Sequence, residues 1–492
     1  MPSAEQLPGR GPDPDHRVTL AGRRVGAGVS DGAVVCVDFG STFTKAVLVD
    51  LAAGAVVASA SHSTTIDTDV LYGYDACLAA LAGQDARALE AEVLACSSAG
   101  GGLRIAVVGN EELVTAEAGR RVALSSGGRV VGVLAASRGD DLGTLAEAEP
   151  DVVLLTGGTD GGNTEALLSS ARGLVEVGWT GPVVVAGNID ARAEVAGILA
   201  GRPSGAPYVL TDNVVPRIGV LAPEGARAAI REMFLAHVIG GKHLSPRTDF
   251  VAMVRGATPD VVLTGVELLA RGLDGEHPGA GDVVVVDVGG ATTDVHSVVE
   301  VDPEDGNAEG GLAREVVATT PVTRTVEGDL GMRWSALATV EAADLGHLAD
   351  AARRRRADPG MLPVTADEVE DDEVIARAAV GLALRRHAGR SQVVVSPEGR
   401  VVERTGKDLR EVDLLVGSGG VLRNGRPGVA ERVLAGSTGE RVDGGWQLPR
   451  APRVVVDEDH VLAAVGLLAG RYPAAAYALT GRLRGGSPAG DR

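Results

Sequence analysis

The chain has 492 residues, 69 of them glycine, with 45% apolar and only 2% aromatic residues. That length favours two to four domains with a core built from Val, Leu, Ile and Ala, and the lack of a three-residue glycine period excludes collagen. Lys+Arg 46 against Asp+Glu 66 leaves a net charge of −20, which excludes a general nucleic-acid binder but not the binding of a nucleotide.

Residues 1–30 are rich in Pro, Gly and Arg and read as a flexible tail, as do residues 481–492. VVCVDF (34–39), KAVLVD (45–50) and AVVASA (55–60) are joined by very short connections, so they predict an antiparallel meander. A helix is expected over about 75–94. IAVVGN (105–110), VVLLTGG (152–158), PVVVAGN (182–188) and YVLTDN (208–213) run apolar without alternation, as buried parallel strands do. They predict βα units inserted at 104–213 in a first lobe spanning 31–275, with helices near 223–238 and 259–271. The Gly- and Pro-rich segment 273–281 reads as a hinge.

A second lobe, 280–470, restarts at DVVVVDVGG (282–290) and continues with HSVVEV (296–301). Helical stretches follow over 334–356 and 372–389, then a strand at 413–420 and a helix at 459–469. The basic run ARRRRADPGMLP (352–363) reads as a solvated helix end beside a loop. The fold class is α/β. Cys36, Cys77 and Cys96 are an odd number without metal-like spacing, so a reducing cytoplasm is the expected compartment. No stretch reaches the roughly 18–20 apolar residues of a membrane span, and the N-terminus lacks the apolar segment of a secretory signal.

Neither a Walker-type loop nor G-x-G-x-x-G is present. A different phosphate design occurs twice. In Asp38-Phe39-Gly40-Ser41-Thr42-Phe43-Thr44-Lys45, a strand delivers Asp38 to its end, where it can hold Mg²⁺. Gly40 opens the backbone, and Ser41, Thr42 and Thr44 add hydroxyls beside an anion nest. Read alone, this is equally an ordinary hairpin with Asp and Gly as turn formers. The same chemical order recurs in Asp287-Val288-Gly289-Gly290-Ala291-Thr292-Thr293-Asp294, so two nests can face each other across a cleft. Lys45, on a strand, reads as exposed. Gly417-Ser418-Gly419-Gly420 is a strand-to-helix turn suited to a base and ribose. Thr258-Pro259-Asp260 opens one helix, and His460 precedes another whose Ala463, Ala464 and Gly466 allow close packing.

The order of these parts resembles the actin–hexokinase–Hsp70 ATPase superfamily, over residues 33–470. VVVVDVGGATTDVHSV (283–298), TVEGDLGMR (325–333), LLTGGTDGGN (154–163), RHAG (386–389) and GKDL (406–409) resemble the glutamate-mutase-associated MutL family, which is unrelated to the mismatch-repair protein of that name. The resemblance implies a two-lobed actin/Hsp70-like ATPase with an α/β insertion in its first lobe. It implies a chaperone that uses ATP to eject damaged cobalamin from an adenosylcobalamin-dependent aminomutase such as glutamate (methylaspartate) mutase. ATP/ADP and Mg²⁺ are the implied cofactors and the mutase subunits the implied partners, with neither nucleic acid nor membrane. On this reading Asp38, Asp287 and Asp294 are catalytic, and Asp38 and Asp287 carry the metal. Gly40, Ser41, Thr42, Thr44, Gly289, Gly290, Thr292 and Thr293 cradle phosphates, while Gly417, Ser418, Gly419 and Gly420 hold the adenosine. Hsp70-like members place a Glu where this chain has Thr258, so the water-orienting role falls to Asp294, Asp260, Glu327 or Asp329. A small-molecule kinase on the same fold is the alternative. The inserted units read either as a docking module for the cobalamin-bearing subunit or as a structural elaboration.

Overall fold

The computed structural model describes residues 32–109, 115–135, 141–203, 206–300, 320–396, 399–439 and 444–485. The expected tail at 1–30 and the end of the other, 486–492, lie outside the described residues. Residues Gly481–Arg484, placed in that second tail by sequence, form a helical turn with Leu483 buried.

Seventeen strands follow one another among the described residues. The first four are β1 (Ala33–Phe39), β2 (Phe43–Asp50), β3 (Ala55–Ser63) and β4 (Glu92–Ser97). Next come β5 (Leu103–Gly109), β6 (Gly128–Ala135), β7 (Val152–Leu155), β8 (Val183–Val185), β9 (Tyr208–Leu210) and β10 (Val254–Ala257). The remainder are β11 (Val283–Val288), β12 (Thr293–Val298), β13 (Val322–Glu327), β14 (Arg390–Ser396), β15 (Gly399–Thr405), β16 (Leu414–Ser418) and β17 (Arg453–Val456).

The expected meander is present: β1–β2 and β2–β3 pair antiparallel. The helix expected over 75–94 instead spans Val70–Gln84, started by the Asp69 side chain accepting from the Leu71 N–H at 2.9 Å. The last three residues of that expected helix, 92–94, instead begin the strand β4 (EVLACS), drawn out parallel to β1. The helix expected at 372–389 starts earlier, at Ala366, where Thr365 and Glu368 form a capping box.

Two five-stranded sheets share one topology. Their orders are β10-β4-β1-β2-β3 and β17-β16-β11-β12-β13, each an antiparallel meander extended by two parallel strands. The third sheet, β6-β5-β7-β8-β9, is parallel throughout and has a core of its own. Strand alternation explains where the site falls. Val35, Val37 and Phe39 of β1 face the first core, whereas Val34 and Cys36 face the helices Thr258–Arg271 and Val461–Ala469. In β11, Val284, Val286 and Val288 face the second core, and Val283 and Val285 face the same two helices. Those helices therefore lie between the two sheets, and Asp38 and Asp287 end the two inward-facing rows. They touch where side chains vanish: a Cβ on Gly466 would lie 1.9 Å from the Val261 carbonyl oxygen, and one on Gly265 2.3 Å from that of Leu462.

The segment 273–281, read as a hinge, is tied back to the helix before it by Ala280 N–H to Leu269 O and Gly281 N–H to Ala270 O. The basic run differs from expectation at one residue. Arg355 shares the inward stripe of its helix with Ala351 and Ala352 and is 1% exposed, bonded to Asp372 at 2.5 Å.

Candidate functional site

Each lobe contributes a hairpin whose turn closes identically. Gly40 N–H donates to Phe43 O at 3.1 Å, and Gly289 N–H to Thr292 O at 2.9 Å. The register sets Asp38 opposite Lys45, and Asp287 opposite Asp294. The two turns meet: a Cβ on Gly290 would come 2.9 Å from Thr42 Oγ1. The second turn is strapped by TVEGDLGMR and the residues just after it: Met332 and Arg333 N–H donate to the Gly289 and Gly290 carbonyls, and Ser335 Oγ to that of Ala291.

One cavity between the lobes is lined by Asp38, Lys45, Thr258, Asp287, Ser418, Asp457 and His460, with apolar walls from both crossing helices. Thr258 Oγ1 donates to Asp38 Oδ1 at 2.6 Å, so the residue standing in the Glu position holds the first aspartate. Burial is the main force raising the Asp38 carboxyl; Lys45 and the Thr258 bond oppose it, and the Asp287 charge adds to it. Lys45, expected on the surface, is half-buried in this lining.

Asp457 was not singled out from the sequence. It follows β17, and its carboxylate accepts from Val461 N–H at 2.9 Å and Leu462 N–H at 3.3 Å, capping the second crossing helix. Burial pushes it up to about 6, against these bonds and with help from the Asp287 charge. The signal was available, since VVVDEDH again ends a Val-rich strand in Asp, now before the Ala/Gly helix. Burial disfavours the charged form of His460, which adopts φ 53° where that helix begins.

The other expected residues are distributed as follows. Ser418 reaches the cavity, and the backbone at Gly419 packs against the end of β11, where a Cβ would meet Val288 O at 2.3 Å. Thr44 and Thr293 are fully buried on the faces turned away from the cavity; Thr44 bonds Thr64, which in turn donates to Gly40 O. Asp294 lies outside the cavity lining and pairs with Arg324 at 3.2 Å. Asp260 is buried against Arg231 at 2.5 Å, and Glu327 and Asp329 both pair with Arg386. RHAG and GKDL meet away from the cavity: His387 Nε2 and Lys407 Nζ both reach Ser297 Oγ, at 2.8 and 3.2 Å.

Among the described residues no three His, Cys, Asp or Glu side chains are arranged to hold a metal by themselves. Mg²⁺ keeps several waters and needs only one or two carboxylates plus phosphate oxygens. Asp38, Asp287 and Asp457 line one cavity with Lys45 as the only Lys or Arg in the lining, and the two raised carboxyls are destabilised partly by the Asp287 charge. A divalent cation carried with a nucleotide fits that donor set.

The family model described as MutL protein matches residues 34–483. Protein MutL of Clostridium tetanomorphum is 36% identical over 458 residues, covering 90% of this chain and 96% of that protein. The chain belongs to the MutL family. Its doubled sheet, paired hairpin turns and crossing helices form the two-lobed α/β architecture expected from the order of these parts. Among solved structures, the activator of 2-hydroxyisocaproyl-CoA dehydratase from Clostridium difficile with bound ADPNP is 11% identical, over 90% of this chain and 95% of that one, at a TM-score of 0.29. The ethanolamine utilization protein EutJ from Carboxydothermus hydrogenoformans is 14% identical over 90% and 88%, at 0.26. No helix among the described residues is long and apolar enough to cross a membrane.

Proposed function

We propose that this MutL-family protein is an ATP-dependent reactivating chaperone for an adenosylcobalamin-dependent aminomutase of the glutamate (methylaspartate) mutase type. It would couple ATP binding and hydrolysis to release of damaged cobalamin. The observation that carries the ATPase half is that Asp38 and Asp287, equivalent residues of two equivalent sheets, end in one cavity beside two turns that touch. The mutase half rests on family membership.

Phosphoryl transfer asks a protein for positioning and charge. The amides of both turns would receive phosphate oxygens, with Asp38 and Asp287 facing the metal shell and Lys45 offsetting the developing charge. Mg²⁺, when bound with the nucleotide, supplies neutralisation of the β- and γ-oxygens. Ser418 and the backbone of Gly419 and Gly420 would lie along the adenosine. The inserted sheet would serve as the docking module. A γ-phosphate held by both turns ties the lobes together more firmly than ADP can, so the mutase should meet two different surfaces.

The test measures mutase binding with a non-hydrolysable ATP analogue, with ADP and without nucleotide. A partner coupled to nucleotide state shows affinities differing by roughly 5–150-fold, and alters nucleotide affinity by the same factor. Equal affinities in all three states would overturn the chaperone reading and favour a kinase.

A further inference from the structure

We infer that Arg324 is a positioning residue through which the inserted sheet sets the Asp287 hairpin. This rests on the nucleotide site proposed above. Arg324 sits on β13 opposite His296, two pairs along from Asp294, and is 3% exposed. Its guanidinium has three acceptors: Asp294 Oδ1 at 3.2 Å, Leu124 O at 3.3 Å and Gly128 O at 3.5 Å. The last two belong to the end of the helix Thr115–Ser125 and the first residue of β6, within the inserted unit. All three bonds are long, and the buried Nε has no partner. The guanidinium is thus shared between the insert and the second lobe rather than locked to either.

The same turn bears on the first lobe. Gly127 has φ +78°, and a Cβ there would lie 2.7 Å from the Asp260 backbone nitrogen, in the first turn of the helix whose first residue, Thr258, holds Asp38. Residues 124–128 therefore touch one residue on the way to each hairpin aspartate: Asp260, two residues from the Thr258 that holds Asp38, and Arg324, which holds Asp294 opposite Asp287. A shift of this turn moves Asp294 through its bridging guanidinium, and Asp294 and Asp287 are paired across two hydrogen-bonded strands. Movement of the hairpin on nucleotide binding is carried back to the insert by the same contacts, as linkage requires.

The first measurement uses the unaltered chain. Hydrogen exchange of amides in 122–130 is followed with and without the ATP analogue, and protection should change when nucleotide binds. The second compares Gly127→Ala, Arg324→Met and Arg324→Lys in steady-state ATP turnover. Gly127→Ala and Arg324→Met should lower kcat by roughly tenfold or more while KM for ATP moves much less, since a positioning fault acts on the reacting geometry. Arg324→Lys should recover part of kcat, because it restores the charge beside Asp294 without the fork. Nucleotide binding with unchanged exchange, or folded variants with kcat within twofold of the parent, overturns this inference alone. Failure of the unaltered chain to bind nucleotide overturns it together with the proposed function.

Discussion

The crossing of the two central helices gives the sharpest mechanical test. Replacing Gly466 by Ala puts a methyl 1.9 Å from the Val261 carbonyl oxygen and 2.7 Å from its carbon. Both atoms are helix backbone and cannot rotate away. Restoring a tolerable contact near 3.2 Å needs the helices to part by roughly 1.3 Å. Alanine gains about 1 kcal/mol of helix propensity over glycine, while overpacking of a rigid core costs about 1–3 kcal/mol, here at the upper end. The net expectation is about 2 kcal/mol of destabilisation. The functional effect is larger, because Thr258 begins one helix and Asp457 caps the other. Parting them by roughly 1.3 Å stretches the 2.6 Å Thr258–Asp38 bond beyond hydrogen-bonding range. Displacement on the order of 1 Å can cost about 100-fold in rate. Thermal unfolding and ATP turnover are measured on the same preparation. A Gly466→Ala protein with parental stability and turnover would show that the crossing is not the tight contact argued here.

Three further outcomes are expected. Asp287→Ala should abolish ATP hydrolysis while leaving circular dichroism and the unfolding midpoint nearly unchanged, since the side chain lines a cavity rather than filling a core; hydrolysis at the parental rate would remove it from the site. Gly290→Val should prevent nucleotide binding rather than slow turnover, because its branched side chain would stand 2.9 Å from Thr42 Oγ1, in the gap between the turns; unchanged calorimetric affinity for the ATP analogue would misplace the second phosphate loop. Asp457, pushed up to about 6 from 3.8, keeps a proton in the folded state that the unfolded chain has released. Its favourable contribution is therefore full below pH ~4 and is withdrawn as pH rises through 6, by about 3 kcal/mol. In Mg²⁺-free buffer the stability of Asp457→Asn relative to the parent should rise by that amount between pH 4 and 7; parallel urea-unfolding profiles would contradict it.

What could be read from the sequence was local. Both hairpin turns were legible because Asp, Gly and hydroxyls follow Val-rich strands in a fixed chemical order, and their doubling a lobe apart argued against chance. The strand β4 was not. EVLACS is as compatible with the end of a helix as with a strand, and its identity comes from pairing with β1 across more than fifty residues. Asp457 is hard to see in the sequence because RVVV is only four residues long and the Ala/Gly helix after it is the stronger pattern. Lys45 was misjudged for a related reason. Alternation tells which residues share a face, but only packing tells which face a helix covers. Arg355 shows the same limit in a helix: four consecutive arginines look uniformly solvated until one falls on the inward stripe and finds Asp372.

The doubling also exposes an asymmetry that gives the insert a reason to be where it is. Superposing the two registers sets Asp38 on Asp287, Lys45 on Asp294 and Ser59 on Arg324. In the first lobe the aspartate faces a lysine, so the hairpin balances its own charge. In the second, aspartate faces aspartate, each raising the cost of the other's charge inside a buried sheet. Burial is the main force pushing the Asp294 carboxyl up, the Asp287 charge adds to it, and the Arg324 guanidinium opposes both. That arginine is itself buried, and two of its three acceptors are carbonyls of the inserted unit. Hydrogen bonds to the remaining donors help offset the cost of burying an ion pair, and loss of one partner is strongly destabilising. The second hairpin therefore depends on the inserted sheet for its charge balance, whereas the first does not. At the proposed site, nucleotide phosphates between the two turns would add negative charge beside this hairpin, and the strain they create would fall on Arg324 and the turn that supports it.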